Sequence, residues 1–79
     1  MSEKVKDNFM TEVLNILGKE IKSRRENLGL TQEKLAEKCG LDRTYISLLE
    51  RGKRNPSYTN LLKVASGLEI SISELTKDI

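Results

Sequence analysis

Apolar residues recur along this chain with helical spacing. Phe9, Val13, Leu17 and Ile21 follow one another at four-residue steps and predict an amphipathic helix over about residues 9–27. The stretch Gln32–Glu50, QEKLAEKCGLDRTYISLLE, sets Leu35, Leu41 and Leu49 as an apolar frame around Ala36, Gly40 and Ile46. It predicts two short helices meeting at a sharp turn. Ala36 is small enough for the two to approach closely, and Ile46 plugs the second onto the first. Gly40 stands where the chain must leave the helix with a positive φ, which a residue without Cβ tolerates. Leu61, Val64, Ala65 and Leu68 share one face of a fourth helix. A fifth begins after Ser71. Residues 1–8 carry no such pattern and are expected to be frayed. No period-two run persists, so no strand is expected, and neither a repeat nor a linker divides the chain. The expectation is one all-α domain of five helices.

The helix boundaries have a repeating chemistry. Thr31, Asp42, Ser57 and Ser71 stand at N-cap positions, where a side-chain oxygen can accept from a free backbone N–H. Leu30, Leu41 and Ile70 precede three of them and can staple onto Leu35, Ile46 and Leu75. Ser71 and Glu74 have capping-box spacing. Gly29 and Gly52 close the first and third helices, and Pro56 precedes the fourth.

Once the apolar frame is turned inward, Arg43, Thr44, Ser47 and Arg51 remain outward on the third helix. A basic, polar stripe on a short helix suits the major groove of DNA. Arg43 can bind guanine O6 and N7 bidentately, and the Thr44 methyl can pack on a thymine methyl. Tyr45 lies one position off the stripe; it either flanks a base or phosphate or packs beside the fourth helix. Thr31 and Gln32 open the second helix, whose free N–H groups and positive dipole end suit a phosphate. Arg51, Lys53, Arg54 and Asn55 form a short basic loop placed to straddle the DNA backbone. The competing reading of each group is a solvated polar surface.

Charge sharpens this picture. The formal net charge is only +2, but residues 19–54 hold ten Lys/Arg against six acids, and the flanks hold four against six. Positive charge is thus concentrated on the paired helices and their borders, as phosphate contact requires. At 79 residues with 37% hydrophobic content, the chain supports one small core, and dimerisation is an expected source of further stability. The polar start MSEKVKDNF shows no signal peptide, and no apolar run is long enough for a membrane span, so a cytoplasmic protein is expected. Cys39 is the only cysteine and there is no histidine, which leaves no zinc set and no internal disulfide. With no nucleophile–base pair and no Gly-rich phosphate loop, an enzyme, a cofactor or a small-molecule ligand is not expected.

The segments LGKEIKSRRENLGLTQ, QEKLAEKCGLDRTYISLLE and NPSYTNLLKVASGLEISISEL resemble the Xre/phage-repressor family of helix-turn-helix DNA-binding proteins over roughly residues 17–76. Within it, LDRTYISLLERGKRNPS is most similar to the controller proteins of restriction–modification systems. The resemblance implies a five-helix, lambda-repressor-like fold with a central helix-turn-helix. It implies base reading by Arg43, Thr44, Tyr45 and Ser47, with Arg54 reaching a base or the minor groove, and a phosphate contact from Gln32, which also buttresses the third helix. It implies an ion pair between Arg25 and Glu50 that locks the first helix to the helix-turn-helix. Glu33 and Glu37 are either a solvated mixed-charge face or, as in activating phage repressors, an acidic patch touching RNA polymerase. Ile72, Leu75 and Ile79 are expected to form a homodimer seam, placing two third helices about 34 Å apart on a pseudo-palindromic operator. A prophage or plasmid repressor is the nearest alternative. An antitoxin-like module that binds protein rather than DNA is the more distant one.

Overall fold

The computed structural model describes residues 2–79, with side chains from Asn8 onward. Its five helices are α1 (Ser2–Asn27), α2 (Gln32–Cys39), α3 (Arg43–Glu50), α4 (Tyr58–Gly67) and α5 (Ile72–Thr76). α3 is central: it packs on α1 and α2, α2 packs on α4, and α5 closes the bundle against α4 and α1. Leu17, Ile21, Leu35, Ala36, Ile46, Leu49, Val64, Ala65, Leu68 and Leu75 form the core, with Cys39 among them as a small buried residue. Burial pushes the Cys39 thiol pKa up.

Four N-caps are made as the sequence predicts. The side chains of Thr31, Asp42, Ser57 and Ser71 accept from the N–H of Lys34, Tyr45, Asn60 and Glu74 at 3.1, 2.9, 3.1 and 3.0 Å. The helix ends share a second device. Leu30, Leu41 and Ile70 donate their N–H back to the carbonyls of Arg25, Ala36 and Ala65 at 3.1, 2.9 and 3.0 Å. Each closes a Schellman motif. The same three residues stand one position before the next N-cap, so one apolar residue ends one helix and starts the following one. The left-handed residue before Leu41 is Gly40, at φ +71°. Before Ile70 it is Glu69, at φ +63° without the help of a missing Cβ. Lys38 Nζ donates to Glu69 Oε2 at 2.7 Å, drawing that carboxylate's pKa below its ordinary value.

Four expectations are modified. α1 begins at Ser2, not near residue 9, because its first turns are polar and leave no apolar period to read. The fraying expected over residues 1–8 falls almost wholly on residues whose side chains are not described. Phe9 lies on the apolar stripe yet is 62% exposed, since the 26-residue α1 outruns the bundle. The Ser71–Glu74 capping box is half made: Ser71 caps, but Glu74 turns to Arg24 Nη2 and Lys77 Nζ, both at 3.0 Å. These two cations lower the Glu74 pKa, Lys77 first. Finally, Leu75 does not belong to a dimer seam. It is 1% exposed and belongs to the protomer's own core, whereas Ile72 is half-buried and Ile79 is exposed.

Candidate nucleic-acid interface

The stripe on α3 emerges from how α3 is anchored. Ile46 and Leu49 are buried, which turns Arg43 and Thr44 to solvent and leaves Ser47 half-buried. The Asp42 cap fixes the first turn, the part that carries Arg43 and Thr44. Arg51 is exposed at the far end, with its Nε on the Ser47 carbonyl at 3.4 Å.

Behind the stripe lies a buried polar knot. Arg25 Nε donates to Glu50 Oε2 at 2.6 Å and Nη2 to Oε1 at 3.0 Å. Its remaining nitrogen, Nη1, donates to the Leu30 carbonyl at 2.7 Å. Gln32 Nε2 completes the shell of Glu50 Oε1 at 3.0 Å. α1, the start of α2 and the end of α3 are thereby tied through one carboxylate, and the joint after α1 through the Arg25 guanidinium. The bond to Glu50 holds the Arg25 guanidinium charged, raising its pKa against the cost of burial. No buried side-chain nitrogen or oxygen among the described residues lacks a partner. Gln32 thus buttresses α3 while standing at the N-terminus of α2, beside the exposed Thr31.

Backbone packing sets the depth of the arrangement. Gly18 faces the end of α3 so closely that an added Cβ would sit 2.5 Å from the Leu49 carbonyl oxygen. Gly18 adds nothing to the apolar pattern, yet a glycine inside a strongly periodic helix is itself a signal of close approach. Lys53, Arg54 and Asn55 are exposed in the loop after α3, and the Arg54 Cζ lies 5.0 Å from the centre of the Tyr45 ring. The Tyr45 hydroxyl accepts from Asn60 Nδ2 at 3.1 Å, so Tyr45 packs beside α4. Asn60 was not anticipated: a polar contact across 15 residues leaves no spacing to recognise. Glu33 and Glu37 are exposed on α2, with Glu37 Oε1 3.5 Å from Lys34 Nζ.

Comparison with known proteins agrees with this geometry. The control protein C.MunI of a Mycoplasma species is 52% identical over 58 residues, which cover 73% of this chain and 78% of that protein. The restriction-modification controller protein C.AhdI of Aeromonas hydrophila superposes with a TM-score of 0.79 at 43% identity, over 82% of this chain and 94% of that one. The controller protein C.Esp1396I, solved as a tetramer on its natural 35 base-pair operator, superposes with a TM-score of 0.77 at 42% identity, over 82% and 86%. A family model described as helix-turn-helix matches residues 21–75, the span from the buried Ile21 in the last two turns of α1 to Leu75, and the chain belongs to that helix-turn-helix family.

Proposed function

We propose that this protein is a homodimeric, sequence-specific transcription regulator that controls a restriction–modification operon, including its own gene. The observation that carries this reading is the α3 stripe of Arg43, Thr44 and Ser47, presented by a helix whose rear is fixed by the Arg25–Glu50–Gln32 knot. Arg43 and Thr44 read base edges, with Ser47 beside them. Thr31, Gln32, Arg51, Lys53 and Asn55 meet phosphates, and Arg54 reaches past the backbone. Two copies bind a pseudo-palindrome, activating at low occupancy and repressing at high occupancy. Similarity to proteins called controllers supports the assignment.

With Leu75 committed to the core, the dimer seam falls to Ile72 and Ile79. The exposed apolar residues Tyr58 and Leu62 of α4 are further candidates. Glu33 and Glu37 offer an acidic surface to RNA polymerase during activation, apart from the α3 stripe. The site of action is the cytoplasm.

The test is a footprint on the DNA upstream of the protein's own gene, repeated with Arg43→Ala. One bidentate base contact carries about 1–3 kcal/mol of discrimination. Arg43→Ala should lose that margin between operator and scrambled DNA while keeping its fold. An unchanged ratio would remove Arg43 from base reading. No protected site at all would remove the function.

A further inference from the structure

Tyr45 is held at both ends. Its backbone N–H is fixed by the Asp42 cap of α3 at 2.9 Å, and its hydroxyl by Asn60 Nδ2 of α4 at 3.1 Å. Asn60 is itself fixed, because its backbone N–H donates to Ser57 Oγ in the first turn of α4. The ring is half-buried against the core, and the Arg54 Cζ lies 5.0 Å from its centre. Arg54 takes part in none of the ion pairs among the described residues. The aromatic ring is therefore the contact that orients its guanidinium.

We propose that Asn60 is a positioning residue for DNA reading: by holding the Tyr45 hydroxyl it fixes the ring as a platform on which Arg54 is stacked and aimed. This rests on the DNA-binding function above. A long, flexible cation on an exposed loop samples many rotamers, and each must be given up when it binds. Stacking on a fixed ring removes part of that loss before DNA arrives, without neutralising the charge that DNA needs. Tyr45 then acts through Arg54 rather than by touching a base. Asn60, which lies on α4 and not on the stripe, becomes a determinant of affinity.

Two measurements test this, one without DNA. Ring current shields the Arg54 side-chain protons while the stack persists. Asn60→Leu, similar in size and lacking the donor, should return those resonances to coil values at an unchanged melting temperature. Tyr45→Phe, which keeps the ring and loses only the hydroxyl, should do the same. With operator DNA, Asn60→Leu should bind about fivefold more weakly, the worth of one exposed cation–π contact. That loss should vanish when Arg54→Ala is already present. Unmoved resonances in both variants, or a fivefold loss that persists in the Arg54→Ala background, overturn the proposal. So does an operator affinity that Asn60→Leu leaves at the wild-type value. If the wild-type protein itself shows no operator preference, the DNA-reading function fails and takes the proposal with it.

Discussion

Replacing Gly18 by alanine opposes two well-characterised effects. In an exposed helix interior, glycine to alanine is worth about 1 kcal/mol of added stability. In α1 the new Cβ would lie 2.5 Å from the Leu49 carbonyl oxygen, 2.7 Å from the Glu50 carbonyl oxygen and 2.9 Å from the Glu50 carbonyl carbon. Heavy atoms pack best at about 3.5–4.0 Å, so α1 must retreat from α3 by up to about 1 Å. The atoms in the way are backbone and cannot swing aside as a side-chain end would. The retreat also strains the Arg25–Glu50 bonds at 2.6 and 3.0 Å, which span the same pair of helices. Overpacking of this kind costs about 1–3 kcal/mol. The cost exceeds the propensity gain, leaving a net loss of about 1–2 kcal/mol once the lost pairing geometry is included. For a domain of this size each kcal/mol shifts the melting temperature by about 4–8 °C. Thermal denaturation followed by circular dichroism should therefore show a clear drop. Both proteins must be compared at one concentration, because an oligomer's melting temperature depends on it. A Gly18→Ala protein that melts higher than wild type would refute the close approach of α1 to the end of α3.

Three further outcomes are expected. Arg25→Met should cost about 3–5 kcal/mol in urea unfolding, since Glu50 would be left buried and charged; Arg25→Met with Glu50→Leu should recover most of it, and additive losses would argue against a shared knot. Lys53→Ala should weaken operator and non-specific DNA alike and reduce the salt slope of log K by about one unit; altered sequence preference at an unchanged slope would make it a base reader. Glu69 and Glu74 have pKa values held below the ordinary value of about 4.3 by Lys38, and by Lys77 with Arg24. Their stabilisation is complete above that value and is lost as pH falls through the depressed values, so Glu74→Gln should flatten the acid end of the stability–pH curve; an identical curve would show that the Glu74 pairs with Arg24 and Lys77 contribute nothing.

What the sequence made legible was local. Helix caps at Thr31, Asp42, Ser57 and Ser71 depend on residues three positions apart, and the burial of Leu17, Ile21, Ile46 and Val64 follows from helical periodicity. The Arg25–Glu50 pair came from family resemblance, since nothing in spacing joins residues 25 apart. The seam expected at Leu75 gives way to the core for a physical reason. A 3-4 apolar spacing says that a face is covered, not whether the cover is the same chain or a second copy. The joint at Glu69 was hidden because its left-handed residue is not glycine. The Tyr45–Asn60 contact was hidden because two half-buried polar side chains leave no mark on a hydrophobic pattern.

The residues shared between consecutive helices have a consequence for what this domain can recognise. Because Leu30 and Leu41 each finish one helix and begin the next, there is no spare residue at either joint to act as a hinge. Changing the angle between α2 and α3 would break a Schellman turn and an N-cap together. Under the proposed function this pair of helices acts as a rigid die, and the duplex has to do the adapting. Steps that bend or narrow easily will be favoured even where no side chain touches them, so operator preference should extend to base pairs lying between the two half-sites.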